Sequence, residues 1–353
     1  MDMRVNFNRG GRVGYVDLAK GICITLVAAV HVLDFFGLEF PMSAAFSAFR
    51  MPLYFFLSGL FFKRYESLAG FARRKVNKLL VPFAFFYLTT SVLLSNLLHA
   101  LGYDVRNVGV LGWPSLWAFV TLEQYPNGPT WFLLCLFWVN IVFYCVVLAS
   151  ERLCGSGLGR GLWTLALSAL CGASGYALWA FGVNLPAFFD SALTATPFFC
   201  CGYFVRGHTP ILRPNKWDRF LPLFLVALCA GTWLFRGGMT FGANDFSGRN
   251  PLVVYAGGLC GTLAVMSLSK MLSWLPFLSH WGRYSIIILC THIMEVQLLY
   301  RLFGVVGVAG VIGDWGCAVL ILACVMFSYQ LIIPLCVKLI PWFTAQRDLI
   351  KVR

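Results

Sequence analysis

The sequence predicts an all-α membrane protein, a polytopic bundle of about ten transmembrane helices with both termini in the cytoplasm. Three observations carry this. Of 353 residues, 59% are hydrophobic and 12% are charged, about half the charge of a soluble domain. Apolar stretches of about 18 residues or more recur along the whole chain, each long enough to cross hydrocarbon at about 1.5 Å per residue. Lys and Arg gather in alternate connections. A β-barrel is excluded, because barrel strands alternate polar and apolar residues and these runs are apolar all round.

The elements follow in order. Span 16–38 is interrupted by Asp17 and Lys20 and is too long for a cleaved signal peptide, so it reads as a retained anchor. Span 42–62 holds Arg50, and from there to Phe62 its polar residue is Ser58. A basic stretch at 63–78 leads into span 79–101. Apolar runs then recur at 129–150, 161–181, 187–205, 219–236 and 251–270. Span 282–303 carries His292 and Glu295, and span 315–338 precedes a short basic tail. No stretch suggests a separate soluble domain and no fixed repeat is evident, so 1–353 reads as a single transmembrane domain.

With the N-terminus inside, the inner segments hold most of the Lys and Arg, among them Arg4, Lys63, Arg152, Arg206, Lys216 and Arg347. The outer loops hold little beyond Arg106, Arg236, Arg249 and Arg301. The net charge of +13 is therefore topology and attraction to anionic lipid. Nucleic acid is not an expected partner, since the aromatic residues lie in spans and not among the basic ones. Most of the 13 cysteines fall inside spans, where Cys behaves as a small hydrophobe. No Cys or His spacing fits a metal, and none is expected. The adjacent pair Cys200 and Cys201 fits neither a metal site nor a disulfide framework.

Ionisable groups are costly in hydrocarbon, so the few within spans carry the functional signal. Asp17, Lys20, Ile24, Ala28, His31 and Asp34 lie along one broad helical stripe. Gly21 and Ala28 beside it admit a close neighbour. His31 lies roughly 10 Å below the outer end of its span, and Arg50 roughly 12 Å below the outer end of the next. A short outer turn containing Pro41 makes the two helices adjacent and antiparallel. His31 and Arg50 are therefore expected in one chamber in the outer half of the membrane. The structural alternatives are a packed imidazole and an Arg that snorkels to the headgroups. A second stripe holds Ser285, Ile288, His292 and Glu295, where His292 and Glu295 either pair with each other or face a substrate. His99, His208 and His280 fall near span ends or in loops and read as structural. Arg73, Arg74, Lys75 and Lys78 form a basic cluster that marks the inner side, binds lipid headgroups, or binds a phosphorylated cofactor.

These stretches resemble a known family. "DLAKGICITLVAAVH" is similar to its first-helix signature, a basic residue followed after ten positions by His, here Lys20 and His31. "FRMPLYFFLSGLFFKR" resembles its second helix, "RRKVNKLLVPF" its basic loop, and "PTWFLLCLF", with Trp131, its W-F-L helix. "TPFFCCGYFVRG" and "GRYSIIILCTH" are similar to later segments, with Ile288 and Cys290 departing from the usual aromatic. The resemblance is to the integral-membrane acyltransferase-3 family, in particular its fucose 4-O-acetylase-like branch, and it runs in order through most of the chain. Two departures stand out. The usual Arg-x-x-Arg pair appears here as Lys75 and Lys78, or shifted onto Arg74, and the extracytoplasmic domain with its own catalytic serine, carried by some relatives, is not expected here.

The resemblance implies transfer of an acetyl group from cytoplasmic acetyl-CoA, as co-substrate, to a hydroxyl of an extracytoplasmic or lipid-linked glycan. It also implies a bacterial cytoplasmic (inner) membrane. An imidazole with an unperturbed pKa of about 6.5 suits His31 as general base, and an acyl-histidine intermediate is the alternative. Asp34, or less directly Asp17, orients the ring. Arg50 stabilises the tetrahedral oxyanion or binds a donor phosphate. Lys20 contacts the donor, and Arg73, Arg74, Lys75 and Lys78 hold the CoA phosphates. His292, Glu295 and Trp131 are the candidate residues for the acceptor. The rival reading is a transporter or flippase for an anionic solute, which intramembrane charge suits equally well.

Overall fold

The computed structural model describes residues 13–40, 43–100, 102, 127–155, 157–206, 212, 214–223, 225–227, 239–247, 250–272 and 274–351. They form α1 (Gly14–Phe36), α2 (Ser43–Leu60), α3 (Leu68–Ala100), α4 (Trp131–Leu153), α5 (Gly157–Ala180), α6 (Phe189–Val205), α7 (Pro251–Met271), α8 (Pro276–Arg283), α9 (Ser285–Val306) and α10 (Val308–Leu339). An isolated bridge, Thr240 to Asp245, is the extended pairing among the described residues. Among them, 8 helices are long and apolar enough to cross a membrane. The protein is an all-α polytopic membrane protein.

The helices follow the sequence pattern with local departures. The third span starts earlier than hydropathy places it. Its helix begins at Leu68 and carries the basic residues in its first turns, and the buried Phe71 anchors that end. It is then widened by π-helical turns at Val76–Leu80 and Tyr87–Leu94. The tenth helix is broken at Gly313, whose φ of 72° suits glycine, and the expected span resumes just beyond. Expected span 219–236 falls mostly outside the described residues, as do Arg106, His208, Arg236, Arg249 and the turn at Pro41.

Packing groups the chain into two compact units. The first comprises Met1–Leu26, Pro41–Leu68 and Trp138–Arg283, and the second Val27–Phe40, Ala69–Phe137 and Tyr284–Arg353.

In the first unit α2 lies against α6 and α7, and α5 against α6. Phe55, Phe56, Phe62, Phe143, Phe198 and Phe199 are fully buried there. The Phe62 ring meets Phe143, Phe199 and Tyr203 edge-on at 5.1, 5.9 and 5.8 Å. Two crossings bring backbone onto backbone. A Cβ on Gly59 would overlap the Phe199 carbonyl, and one on Gly202 would overlap that of Phe56. The same holds for Gly21 against Leu278 and Gly282 against Asp17, which seats α8 on the start of α1. Small residues are what such contacts need, since lipid supplies no hydrophobic drive between helices.

Polar groups lock both ends of α7. At its last turn Lys270 meets Asp218 at 3.1 Å, each about 5% exposed. The same carboxylate accepts from Ser267 Oγ at 2.9 Å and from the Asn215 amide at 2.7 Å. At its first turns Tyr255 donates to the Thr194 carbonyl, Thr194 Oγ1 donates to Asn244, and Asn244 donates to the Gly175 carbonyl.

In the second unit α9 packs along α10. Thr291 and Tyr329 share a hydrogen bond of 2.8 Å, and Ser328 donates to Glu295 at 2.7 Å. Phe85 of α3 stacks on Phe343 beyond α10, with centroids 4.2 Å apart.

Replacing Gly59 by Ala forces α2 off α6 and is expected to cost about 1 to 3 kcal/mol. Gly304→Ala, where nothing lies within 4 Å, is expected to leave stability unchanged or slightly raised. Thermal unfolding of the two variants in detergent checks the contrast.

Candidate active site

The ionisable residues read from the sequence fall into three groups, each within one unit. The first group belongs to the second unit. His31 and Asp34 stand three residues apart on α1, one turn of helix. His31 Nδ1 lies 3.7 Å from an Asp34 oxygen, with the side chains 31% and 65% exposed. That is an ion-pair distance and too long for a direct hydrogen bond.

His292 faces the same imidazole from α9. The two rings have centroids 5.3 Å apart and planes at 40°. His292 is fully buried, and its Nδ1 lies 2.8 Å from the Ile288 carbonyl. A carbonyl can only accept, so Nδ1 carries the proton and Nε2 carries the lone pair. Nε2 is buried and has no hydrogen-bond partner among the described residues. Glu295 does not pair with His292. One of its oxygens accepts from Ser328 on α10, which removes the i, i+3 pairing as an account of this stripe.

Asn127, which sequence reasoning missed, anchors the same region. It is fully buried and donates through Nδ2 to the Cys290 carbonyl at 2.6 Å and to Thr90 Oγ1 at 2.8 Å. Its backbone amide donates to Ser91 Oγ. It thereby ties the turn Gly128–Thr130, and Trp131 after it, to α9 and to the second π-helical turn of α3. A polar residue ahead of Gly-Pro at the start of an apolar span was the available signal. Trp131 is half-buried and its ring meets Phe132 edge-on.

The second group belongs to the first unit. Tyr54 OH donates to the Lys20 carbonyl at 3.1 Å, and Cys23 Sγ to the Arg50 carbonyl at 3.1 Å. These bonds set α1 and α2 antiparallel, as expected, and they place the Arg50 backbone beside Cys23. Hydropathy gave span ends, and the register is set by contacts. Lys20 Nζ lies 5.7 Å from the centre of the Phe61 ring. Asp17 lies fourteen residues before His31 on one unbroken helix, about 21 Å along its axis. Asp34 is thus the carboxylate within reach of the imidazole.

The third group is the basic start of α3, in the second unit. Arg73 and Arg74 are exposed. Lys75 lays its ammonium 5.2 Å from the Phe71 ring centre. Lys78 turns to the C-terminal segment, 3.1 Å from Asp348 and 2.9 Å from the Ala345 carbonyl. Asn77, fully buried, donates to the Ile350 carbonyl at 2.8 Å and accepts from the Leu349 and Ile350 amides at 3.1 and 2.8 Å. The basic segment and the tail, both expected on the cytoplasmic side, therefore meet. Among the described residues no three His, Cys, Asp or Glu side chains converge to hold a metal ion.

A family model described as an acyltransferase domain, acyltransferase-3, matches residues 13–338. The chain belongs to the acyltransferase-3 family. No curated protein and no solved structure matches it. As a membrane acyltransferase it must move an acyl group onto a nucleophile, and the imidazoles and cations above are the groups suited to that. Outside the spans, burial and the neighbouring Arg283 charge hold His280 below its ordinary pKa, which fits its reading as a structural residue.

Asn77→Ala strands the Leu349 and Ile350 amides. Hydrogen exchange at these two positions is expected to accelerate about tenfold or more, at about 1 to 3 kcal/mol for the lost buried partner. Mass spectrometry of deuterium uptake in the C-terminal peptide reads this directly.

Proposed function

We propose that this acyltransferase takes an acetyl group from cytoplasmic acetyl-CoA and delivers it to a hydroxyl of an extracytoplasmic or lipid-linked glycan. The setting proposed is the cytoplasmic membrane of a bacterium, as the sequence resemblance implies. The observation that carries this is the order of groups along α1. Cations lie toward its N-terminal end, with Lys20 on α1 and the Arg50 backbone level with Cys23. The imidazole, with Asp34 one turn beyond, lies toward its C-terminal end. Donor and acceptor can then approach from opposite ends of one helix.

In the proposed reaction His31 removes the proton of the acceptor hydroxyl as its oxygen attacks the thioester carbonyl. Asp34 favours the imidazolium that results. The negative charge on the tetrahedral oxygen is met by a cation, for which Arg50 is the candidate. Its level beside Cys23 suits the donor side. Collapse of the intermediate expels the CoA thiolate, which takes the proton from His31. Lys20 assists the donor, and the exposed Arg73 and Arg74 bind its phosphates. Lys75 and Lys78 add charge there, with Lys78 shared between the donor and Asp348. His292, Glu295 and Trp131 serve the acceptor.

The test is release of thiol from acetyl-CoA by the purified protein in lipid, with and without a mixture of hexoses. Release that depends on the hexoses supports transfer, and its absence removes the reading. His31→Ala is expected to lower the rate about 10² to 10⁴-fold while the protein stays in the membrane. Arg73→Ala with Arg74→Ala is expected to raise KM for acetyl-CoA and leave kcat unchanged, the signature of lost binding shared by ground and transition states.

A further inference from the structure

His292 serves the acceptor in the proposed transfer, and its geometry says how. Other polar side chains on α9 have partners within the protein, although Glu295 Oε1 is also buried without one. Thr291 bonds to the Ile287 carbonyl and to Tyr329, and Glu295 accepts from Ser328. The Nδ1 proton of His292 is committed to the Ile288 carbonyl, and its Nε2 lone pair is fully buried with no donor among the described residues. A residue selected only for packing would carry no such cost, since Leu or Phe fills a similar volume without a polar atom to desolvate. The orphaned atom is an acceptor, so its missing partner is a donor. It stands on a ring whose centre is 5.3 Å from that of His31.

We propose that Nε2 of His292 accepts a hydrogen bond from a second hydroxyl of the acceptor, adjacent to the one His31 deprotonates. The protein would then select acceptors that carry two neighbouring hydroxyls. This rests on the reading of the chain as a transferase to a hydroxyl. Two oxygens on adjacent carbons lie about one hydrogen-bond length apart. A diol of that kind suits two imidazoles in near contact, one nitrogen to each oxygen. His31, half-exposed and beside Asp34, is the ring placed to take a proton away. His292, fully buried and fixed in one tautomer by Ile288, is the ring placed to hold an oxygen still. The neighbouring hydroxyl keeps its proton throughout, so no bond to it forms or breaks. A site built to hydrogen-bond a substrate hydroxyl rejects the analogue that lacks it far more strongly than an apolar pocket does, because the buried partner is left unpaired.

The experiment uses the full chain in phospholipid nanodiscs with acetyl-CoA and a matched pair of small alcohols, cis-1,2-cyclohexanediol and cyclohexanol. The acetyl ester of each is measured by mass spectrometry. Wild-type protein is expected to favour the diol by about 100-fold or more in kcat/KM. His292→Phe is expected to bring the diol down to within a few-fold of cyclohexanol. His292→Gln, whose carboxamide oxygen accepts a hydrogen bond, is expected to restore part of the preference. Equal rates for the two alcohols with wild-type protein overturn the proposal without recourse to any variant. So does a preference that survives in folded His292→Phe. Ester from neither alcohol, with thiol still released in the presence of hexoses, overturns the diol inference and leaves acyl transfer standing. No thiol release with any acceptor removes the transferase reading and the inference with it.

Discussion

Hydrocarbon offers no partner to a polar atom, and that single constraint orders the rest of this structure. Hydroxyls within the helices turn back to the carbonyl four residues before, as in Thr25 to Gly21, Thr164 to Arg160, Thr196 to Ala192 and Ser269 to Val265. Backbones meet at Gly59 and Gly202, and at Gly21 and Gly282, where side chains would hold them apart. A charged pair deep in the first unit, Lys270 with Asp218, has its carboxylate also accepting from Ser267 and the Asn215 amide. Such a pair is weak evidence for stability, because desolvation of both ions offsets their attraction. Its clearer consequence is to fix the segment at 215–218 against the end of α7. Buried atoms without a partner among the described residues, such as His292 Nε2, Glu295 Oε1 and Asn127 Oδ1, are the exceptions to this pattern.

The sequence made the membrane class and most spans legible because hydropathy is a property of residues taken singly. The motif glycine at 59 and the stripe on α1 were visible for the same reason. What it could not give was register. Arg50 looked level with His31 when depth was counted from the ends of apolar runs. The Arg50 carbonyl accepts from Cys23, and Tyr54 donates to the Lys20 carbonyl, and nothing in either run encodes that register. Pairings across the chain were equally hidden. Asn127 meets Cys290, and Asn77 meets Ile350, at sequence separations of 163 and 273. Asn127, ahead of Gly-Pro at the start of an apolar span, left a signal though not its partner, and Asn77, next to Lys78 in the basic stretch, left none.

The basic segment divides by chemistry in a way that its sequence does not announce. Four cations within six positions suggest one anion site. The π-helical turn at Val76–Leu80 breaks the helical spacing, and the four part company. Arg73 and Arg74 remain exposed, Lys75 lies over Phe71, and Lys78 goes to the tail. The Lys78 to Asp348 pair is 46% and 41% exposed, and a surface pair of that kind contributes about 0 to 1 kcal/mol. A phosphate can therefore displace it cheaply. The tail itself does not depend on that pair, since the buried Asn77 carboxamide holds residues 349–350 with neutral hydrogen bonds. Anchorage and charge are thus separated. One residue fixes the tail, and its neighbour keeps an ammonium available for exchange.

The same separation of tasks runs along α1. The helix is unbroken from Gly14 to Phe36 and contains no proline, so its rise is a fixed ruler of about 1.5 Å per residue. From Lys20 to His31 that ruler measures about 16 Å, roughly half the thickness of the hydrocarbon core. A donor held by its phosphates at the inner surface must extend its reactive end over such a distance before a base near the outer half can act on it. On the proposed reading, with acetyl-CoA as donor, the length of the pantetheine arm suits that task. In the proposed reaction the spacing between charge and imidazole is what lets one helix serve a donor from one side and an acceptor from the other. Shortening it by a turn would rotate the imidazole only slightly and still withdraw it from His292, its neighbour on α9.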